Sequence, residues 1–325
     1  MQQRILGRSG IAVSAIGLGC WAIGGPWGSR QYKGQPTGWG EVDDRESIRA
    51  IHYALDRGVT LFDTSNNYGT GRSERVLGQA LAGRRAQVVI ATKFGYQIDE
   101  ATREVTGSDA SPQAIRSSCE DSLRRLGTDY IDLYQLHIPN YPAEQAAEVY
   151  EVLEQLVAEG KIRCYGWSTN TVARARAFAQ GQHCTAIQYN FNIVEANFPM
   201  LELCKEHGLA NICRGPLAMG ILTGKFSRDS KLPGDDIRHT WDFNQGEERM
   251  IMDNTELLRE VLTSDGRSLA QAAIGWLLTL HESTIPIPGF KTLEQVKENL
   301  DTLDFGPLSP DQMQTVEQLL GRTHS

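Results

Sequence analysis

Residues 61–78 read LFDTSNNYGTGRSERVLG, and their punctuation sets the architecture. Leu61 and Phe62 close an apolar strand that ends in Asp63. A tight loop, Asn66-Asn67-Tyr68-Gly69-Thr70-Gly71, leads into a helix. Ser73 is its expected N-cap, and Glu74 falls in the first turn, where an acid suits the helix dipole. A carboxylate therefore stands at the C-terminal end of a strand, with a phenol five residues later on the loop above it. In parallel α/β proteins that edge carries the chemistry. Taken singly, an Asp that caps a turn and a Tyr that packs would read the same way. Later strands decide between the two.

Outward from this stretch the pattern alternates. Short apolar runs lie at 15–21, 60–64, 88–94, 131–137, 164–169, 186–190, 211–216 and 284–288. Helix-patterned segments fall between and after them, at 44–57, 73–81, 112–126, 143–159, 171–180, 199–207, 254–263, 268–281 and 292–300. Strand–helix alternation means a parallel sheet, and eight units imply closure into a (β/α)8 barrel. Residues 3–12 form a short hairpin turning at Arg8-Ser9-Gly10, and 309–320 a C-terminal helix opened by Ser-Pro. No linker or low-complexity segment divides the chain, so 1–325 is expected to be one domain. The least patterned stretches, 26–40, 97–108 and 225–247, all follow strand ends and would overhang the C-terminal face, where loops shape a pocket.

Composition narrows the partners. The 325 residues are 40% hydrophobic and 22% charged, ordinary for a globular protein with a large core. The net charge of −8 argues against nucleic acid, whose phosphates need a basic surface. No run approaches the roughly 18–20 apolar residues of a membrane span. The first ten residues, MQQRILGRSG, lack the apolar core of a signal peptide. A cytoplasmic protein is expected. The six cysteines are scattered without a CxxC, so they read as reduced thiols and not as a disulfide framework or a metal site.

Side chains alternate along a strand, so residues of equal parity share a face. Leu61 and Asp63 share one, as do Val89, Ala91 and Lys93, and then Ile131, Leu133, Gln135 and His137. Cys164, Gly166 and Ser168 follow, then Ala186, Gln188 and Asn190, then Ile212 and Arg214. Each face begins small or apolar and ends polar. If these faces line the barrel, Asp63, Lys93, His137, Ser168, Gln188 or Asn190, and Arg214 converge. A core would not select such a ring, because unpaired polar groups are costly to bury.

Four of these residues form a chemical set. A tyrosine hydroxyl, with a pKa near 10, is a poor acid at neutral pH. A nearby ammonium stabilises the phenolate and is expected to lower that value. Asp63 would hold Lys93 charged and in place. A neutral His137 would hydrogen-bond and orient the substrate. Carbonyl reduction needs this arrangement, and because no side chain supplies hydride, a nicotinamide cofactor is implied.

At this point the chain resembles the aldo-keto reductases. The likeness runs nearly end to end, through FDTSNNYGTGRSERVLG, ATKFG, LYQLHIPN, YGWSTN, IQYN, RGPLAMGILTGK and IPIPGFKTLEQVKEN. The resemblance implies a TIM barrel with a hairpin across its bottom, and reduction of aldehydes and ketones with NADPH. It makes Tyr68 the general acid, Lys93 its partner, Asp63 the group holding Lys93, and His137 the orienting residue. It gives Ser168 and Gln188 to the nicotinamide carboxamide and runs Arg214, Gly215, Pro216, Leu217, Gly220 and Lys225 along the pyrophosphate. Lys291 falls where the family places a basic residue for the 2′-phosphate, and Gln295 and Asn299 align with adenosine contacts, Glu298 close by. Gly289 frees the backbone after the last strand, and Thr292 opens a helix whose N–H groups suit phosphate.

The chain departs from the family pattern twice. Thr169 stands where an Asn is usual, with Asn170 next, and Arg214 stands where a tyrosine commonly stacks on nicotinamide. A guanidinium can also stack on a ring. Trp21, Trp27, Tyr96 and Trp241 are expected to line the substrate pocket as loop aromatics. Gly69-Thr70-Gly71-Arg72-Ser73-Glu74 nearly imitates a dinucleotide fingerprint, but its sixth residue is Glu and no acid follows about 20 residues later. Two other readings fit the same residues. One is an NADPH-sensing regulatory subunit with slow turnover, and the other an alcohol or polyol dehydrogenase using NAD.

Overall fold

The computed structural model describes residues 2–30 and 35–322. Its strands in chain order are β1 (Gln3–Ile5), β2 (Ala12–Ser14), β3 (Leu18–Gly19), β4 (Gly28–Ser29), β5 (Leu61–Asp63), β6 (Val89–Phe94), β7 (Tyr96–Asp99), β8 (Glu104–Ser108), β9 (Ile131–Leu136), β10 (Ile162–Ser168), β11 (Cys184–Asn190), β12 (Ala210–Arg214) and β13 (Thr284–Pro286). Eight of them form one parallel sheet in the order β13-β12-β11-β10-β9-β6-β5-β3. Its ends meet. Gly17 N–H donates to Pro286 O at 2.9 Å, Gly19 N–H donates to Pro288 O at 3.0 Å, and Gly19 bridges Gly289 in parallel. The sheet is a TIM barrel, the fold expected from the alternation.

Two apolar layers follow from the period of two. Leu61, Val89, Ala91, Leu133, Cys164, Ala186, Ala210, Ile212, Ile285 and Ile287 fill the interior, and the hairpin adds Leu6, Ile11 and Val13 from below. Ile131 packs in the outer layer instead, as does Ile162, its partner across β9 and β10. The helices surround the sheet: α1 (Asp44–Asp56), α2 (Arg72–Ala80), α3 (Pro112–Leu126), α4 (Ala146–Ala158), α5 (Val172–Phe178), α6 (Phe198–Glu206), α7 (Gly246–Thr263), α8 (Leu269–Leu280), α9 (Leu293–Phe305) and α10 (Pro310–Leu319). No described helix is long and apolar enough to cross a membrane. All six cysteines are free and buried.

Three local expectations are corrected. The stretch 97–108 is not an open loop but the β7–β8 hairpin, which pairs with β4 in a small separate sheet. The helix expected at 254 begins at Gly246, with a polar first turn, Gly246-Glu247-Glu248-Arg249, that does not announce it. Ser73 is not the N-cap of α2, a position held by left-handed Gly71. Ser73 instead lies inside the first turn, where its Oγ donates to Cys20 O at 2.7 Å and meets Thr64 Oγ1 at 2.8 Å. This ties the helix start to the ends of β3 and β5.

Glu74 does more than face the helix dipole. It is fully buried and accepts from Thr92 Oγ1 at 2.5 Å and Arg125 Nε at 2.6 Å, joining α2, β6 and α3. Removing one partner of a buried ion pair strands the other charge, at a cost of about 3–5 kcal/mol. Arg125→Met should therefore lower unfolding stability by about that amount, and Glu74→Gln added to it should restore part of the loss. Urea unfolding of the two variants checks this, and a single variant as stable as the parent would contradict it.

Candidate active site

Asp63 ends β5, Lys93 is the penultimate residue of β6, and His137 follows β9 directly. All three reach the C-terminal mouth of the barrel. The Lys93 side chain is fully buried and that of Asp63 nearly so. Lys93 Nζ donates to Asp63 Oδ2 at 2.7 Å, Thr64 O at 2.7 Å and Tyr68 Oη at 3.2 Å. An ammonium has three hydrogens, and all three are used. The second oxygen of Asp63 accepts from Gln188 Nε2 at 2.7 Å and Gln135 Nε2 at 3.2 Å. The pair is thus saturated, as a buried charge must be.

Burial alone would pull the Lys93 ammonium down, but Asp63 and Tyr68 outweigh it and its pKa rises. The lysine stays charged. The Tyr68 phenol moves opposite to expectation. Burial raises it above the ordinary tyrosine value, against Lys93 and Arg214, which pull it down. In the free protein Tyr68 is therefore a protonated acid with a cation at its oxygen. Burial holds His137 well below the ordinary imidazole value, with Lys93 and Arg214 adding to the effect, so its ring is neutral.

The Tyr68 backbone is fixed by close packing. A Cβ on Gly69 would come within 2.1 Å of Gly24 O, and one on Gly24 within 2.8 Å of Gly69 N. Gly69 also has φ +60, which glycine adopts freely. Around the phenol, Trp21 stacks on Tyr68 with ring centres 6.0 Å apart, and Trp39 meets Trp21 edge-on at 5.4 Å. Tyr96 lies edge-on to His137 at 5.2 Å. Trp21 and Tyr96 thus stand beside Tyr68 and His137. Trp27 and Trp241 lie in the overhanging loops and make no ring contact with Tyr68 or His137 among the described residues. Trp39 and Gln135 went unassigned in the sequence. Gln135 shares parity with His137, and Trp39 is an aromatic in the 26–40 loop, so both signals were available.

The expected cofactor residues divide into two groups. Ser168 and Gln188 sit together at the ends of β10 and β11, Ser168 Oγ 3.5 Å from Gln188 Oε1. Asn170, not Thr169, faces the mouth. Its Oδ1 accepts from Arg214 Nη2 at 3.2 Å and Asn190 N at 3.0 Å, while Thr169 is buried and donates to Pro139 O. Beyond Arg214, Gly215 has φ +66, Pro216 and Leu217 lead into a 3-10 turn, and Gly220 has φ +101. A Cβ on Gly220 would lie 3.2 Å from the Lys225 ammonium. That ammonium makes no hydrogen bond among the described residues, and burial lowers its pKa. An open backbone turn beside an unpaired, partly buried cation fits a pyrophosphate.

The second group is engaged within the protein. Gln295 Oε1 accepts from Lys291 N at 2.7 Å, and Thr292 and Gln295 form the capping box of α9. Asn299 Nδ2 donates to Gly289 O at 3.4 Å, Glu298 Oε1 accepts from Ser268 Oγ at 2.9 Å, and Lys291 Nζ donates to Trp39 O at 2.7 Å. Arg238, also unassigned in the sequence, is buried against Asp236 and donates to Met219 O at 2.8 Å, with its guanidinium 4.2 Å from the Trp39 ring centre. These contacts join the 26–40 and 225–247 loops over one side of the mouth.

Comparison with known proteins identifies the family. Residues 15–320 match the model of the aldo/keto reductase family. The chain is 32% identical over its whole length to the aldo-keto reductase YhdN of Bacillus subtilis (strain 168), covering 95% of that protein. It is 31% identical to the NADH-specific methylglyoxal reductase of Escherichia coli (strain K12), over 94% of each chain. A solved aldo-keto reductase from Klebsiella pneumoniae in complex with NADPH superposes with a TM-score of 0.72 at 26% identity, covering 100% of this chain and 97% of that one. The chain belongs to the aldo/keto reductase family and is an oxidoreductase of that kind.

Proposed function

We propose that this protein reduces an aldehyde or ketone to an alcohol with NADPH, Tyr68 delivering the proton. The observation that carries the reading is the hydrogen-bonded line from Asp63 through Lys93 to Tyr68, buried at the strand ends. Bound NADPH supplies hydride to the carbonyl carbon. Ser168, Gln188 and Asn170 would hold its nicotinamide end, the turn from Gly215 to Gly220 with Lys225 its pyrophosphate, and Lys291 with Thr292 its 2′-phosphate. The NADPH complex of the Klebsiella relative supports that coenzyme. Arg214 would lie against the nicotinamide, where a guanidinium can stack.

The chain's own residues then act on the substrate oxygen. As negative charge develops there, Tyr68 gives up its proton and Lys93, 3.2 Å away, stabilises the phenolate that remains. Asp63 keeps Lys93 from turning away. His137, neutral and edge-on to both Tyr68 and Tyr96, orients the substrate beside the phenol. Trp21 and Tyr96 furnish the apolar walls.

Tyr68→Phe should fold and bind NADPH as the parent does, yet lose about 10²–10⁴-fold in turnover, the usual worth of a general acid. NADPH consumption with a panel of aldehydes, ketones and quinones measures it, and parental rates in the variant would refute the acid assignment. The neutral ring of His137 carries a second expectation. The unfolded chain protonates this imidazole near its ordinary value of about 6.5, and the folded chain only well below it. The stability tied to this group is whole above about pH 6.5 and is lost as pH falls from there. His137→Gln should therefore lose less stability than the parent between about pH 7 and about pH 5 in urea unfolding. Equal losses would count against a neutral His137.

A further inference from the structure

The mouth of the barrel carries a positive charge that the proposed proton transfer does not use. Arg214 ends β12 opposite Asn190, the last residue of β11. A guanidinium has five N–H donors. Arg214 uses one of them among the described residues, Nη2 donating to Asn170 Oδ1 at 3.2 Å. Asn170 is neutral, so this bond leaves the charge unbalanced. The nearby carboxylates are committed elsewhere. Asp63 forms its ion pair with Lys93. Glu195 accepts from Asn192 Nδ2 at 2.8 Å and shares a hydrogen bond with Glu247. Burial pulls the Arg214 pKa down, but a guanidinium remains protonated in a protein. Its field reaches the site, opposing protonation of His137 and favouring the phenolate of Tyr68. Lys93 and Asp63 balance each other and His137 is neutral, so within this group the Arg214 charge is left over.

Hydride transfer needs the nicotinamide within about 3–3.5 Å of the carbonyl carbon whose oxygen meets Tyr68. The ring must therefore lie at these strand ends, beside Arg214. Its two oxidation states differ there by one charge, since the reduced ring is neutral and the oxidised ring is a cation. The riboses, pyrophosphate and 2′-phosphate are the same in both. A fixed cation beside the ring repels the oxidised form and not the reduced one. Two like charges about 4 Å apart near a protein surface repel strongly enough to change an equilibrium by about tenfold or more. We infer that Arg214 makes the coenzyme site selective for oxidation state, holding NADPH more tightly than NADP+ and favouring release of the oxidised coenzyme once hydride has left. The inference rests on the proposed reductase reading and deepens it from the identity of the coenzyme to the discrimination between its two forms. The selectivity works against the hydride step itself, because each tenfold difference in affinity makes the bound coenzyme a weaker donor by about 30 mV.

The ratio of dissociation constants, Kd for NADP+ over Kd for NADPH, reads the inference without turnover. Calorimetric titration of the free protein with each form supplies both constants. The parent should show a ratio of about ten or more. In Arg214→Gln, which can still donate to Asn170 but carries no charge, the ratio should fall about tenfold. Arg214→Lys, which keeps the charge, should stay near the parent. Dividing the constants removes any packing that both forms lose equally. A parental ratio at or below one, an unchanged ratio in Arg214→Gln, or an equal fall in Arg214→Lys overturns the inference. Failure of both forms to bind the parent overturns it together with the proposed coenzyme site. Absence of turnover on every carbonyl compound, with binding intact, refutes the proposed function, while the ratios still decide the inference.

Discussion

The buried pair of Lys93 and Asp63 is the constraint on which the site depends. Neither charge can be left alone in the barrel, because the desolvation of each is worth several kcal/mol. The fold meets this with neighbours on four elements. Gln135 comes from β9, Gln188 from β11, Thr64 from the end of β5, and Tyr68 from the loop above it. Each occupies a strand end of matching parity or the adjoining turn. The same contacts that keep the ion pair satisfied aim a phenol at the barrel mouth and set a cation against it. Structural satisfaction of the pair and the geometry proposed for proton transfer are one arrangement.

The loops above the barrel serve a related purpose. Lys291 holds the Trp39 carbonyl, Arg238 faces the Trp39 ring, and Trp39 packs on Trp21, which lies on Tyr68. A continuous line of contacts therefore runs from the start of α9, where the coenzyme phosphate is expected, to Tyr68, the proposed general acid. The residues expected at the adenosine end, Gln295 and Asn299, also cap or brace α9. Lys225 differs from them, since its ammonium makes no hydrogen bond among the described residues and lies over the Phe226 ring.

Much of this was legible in the sequence because period-two alternation is simple and the barrel is regular. Asp63, Lys93, His137, Gln188 and Arg214 were placed on one rim by parity alone, and the hairpin by its turn residues. The failures have local causes. Ser73 looks like a cap because its residue type is common there, yet Gly71 takes the left-handed position and frees Ser73 to bond Cys20 O. The first turn of α7, Gly246 to Arg249, is polar and reveals no buried face, and the β7–β8 hairpin gains a third strand from distant Gly28 and Ser29. Tyr68 is raised and not lowered because burial, which no sequence pattern measures, outweighs its lysine.

The proposed reaction is a direct hydride transfer to a carbonyl carbon, completed by a proton from the neutral phenol of Tyr68 with the Lys93 ammonium beside it. The most direct measurement uses NADPH deuterated at the transferable C4 position, with a reducible aldehyde, in the parent and in Lys93→Met. Deuterium should appear on the former carbonyl carbon of the alcohol, and the transfer should slow by about 10²-fold or more in the variant. Coenzyme oxidation without deuterium in the product, or transfer equally fast in Lys93→Met, would contradict it.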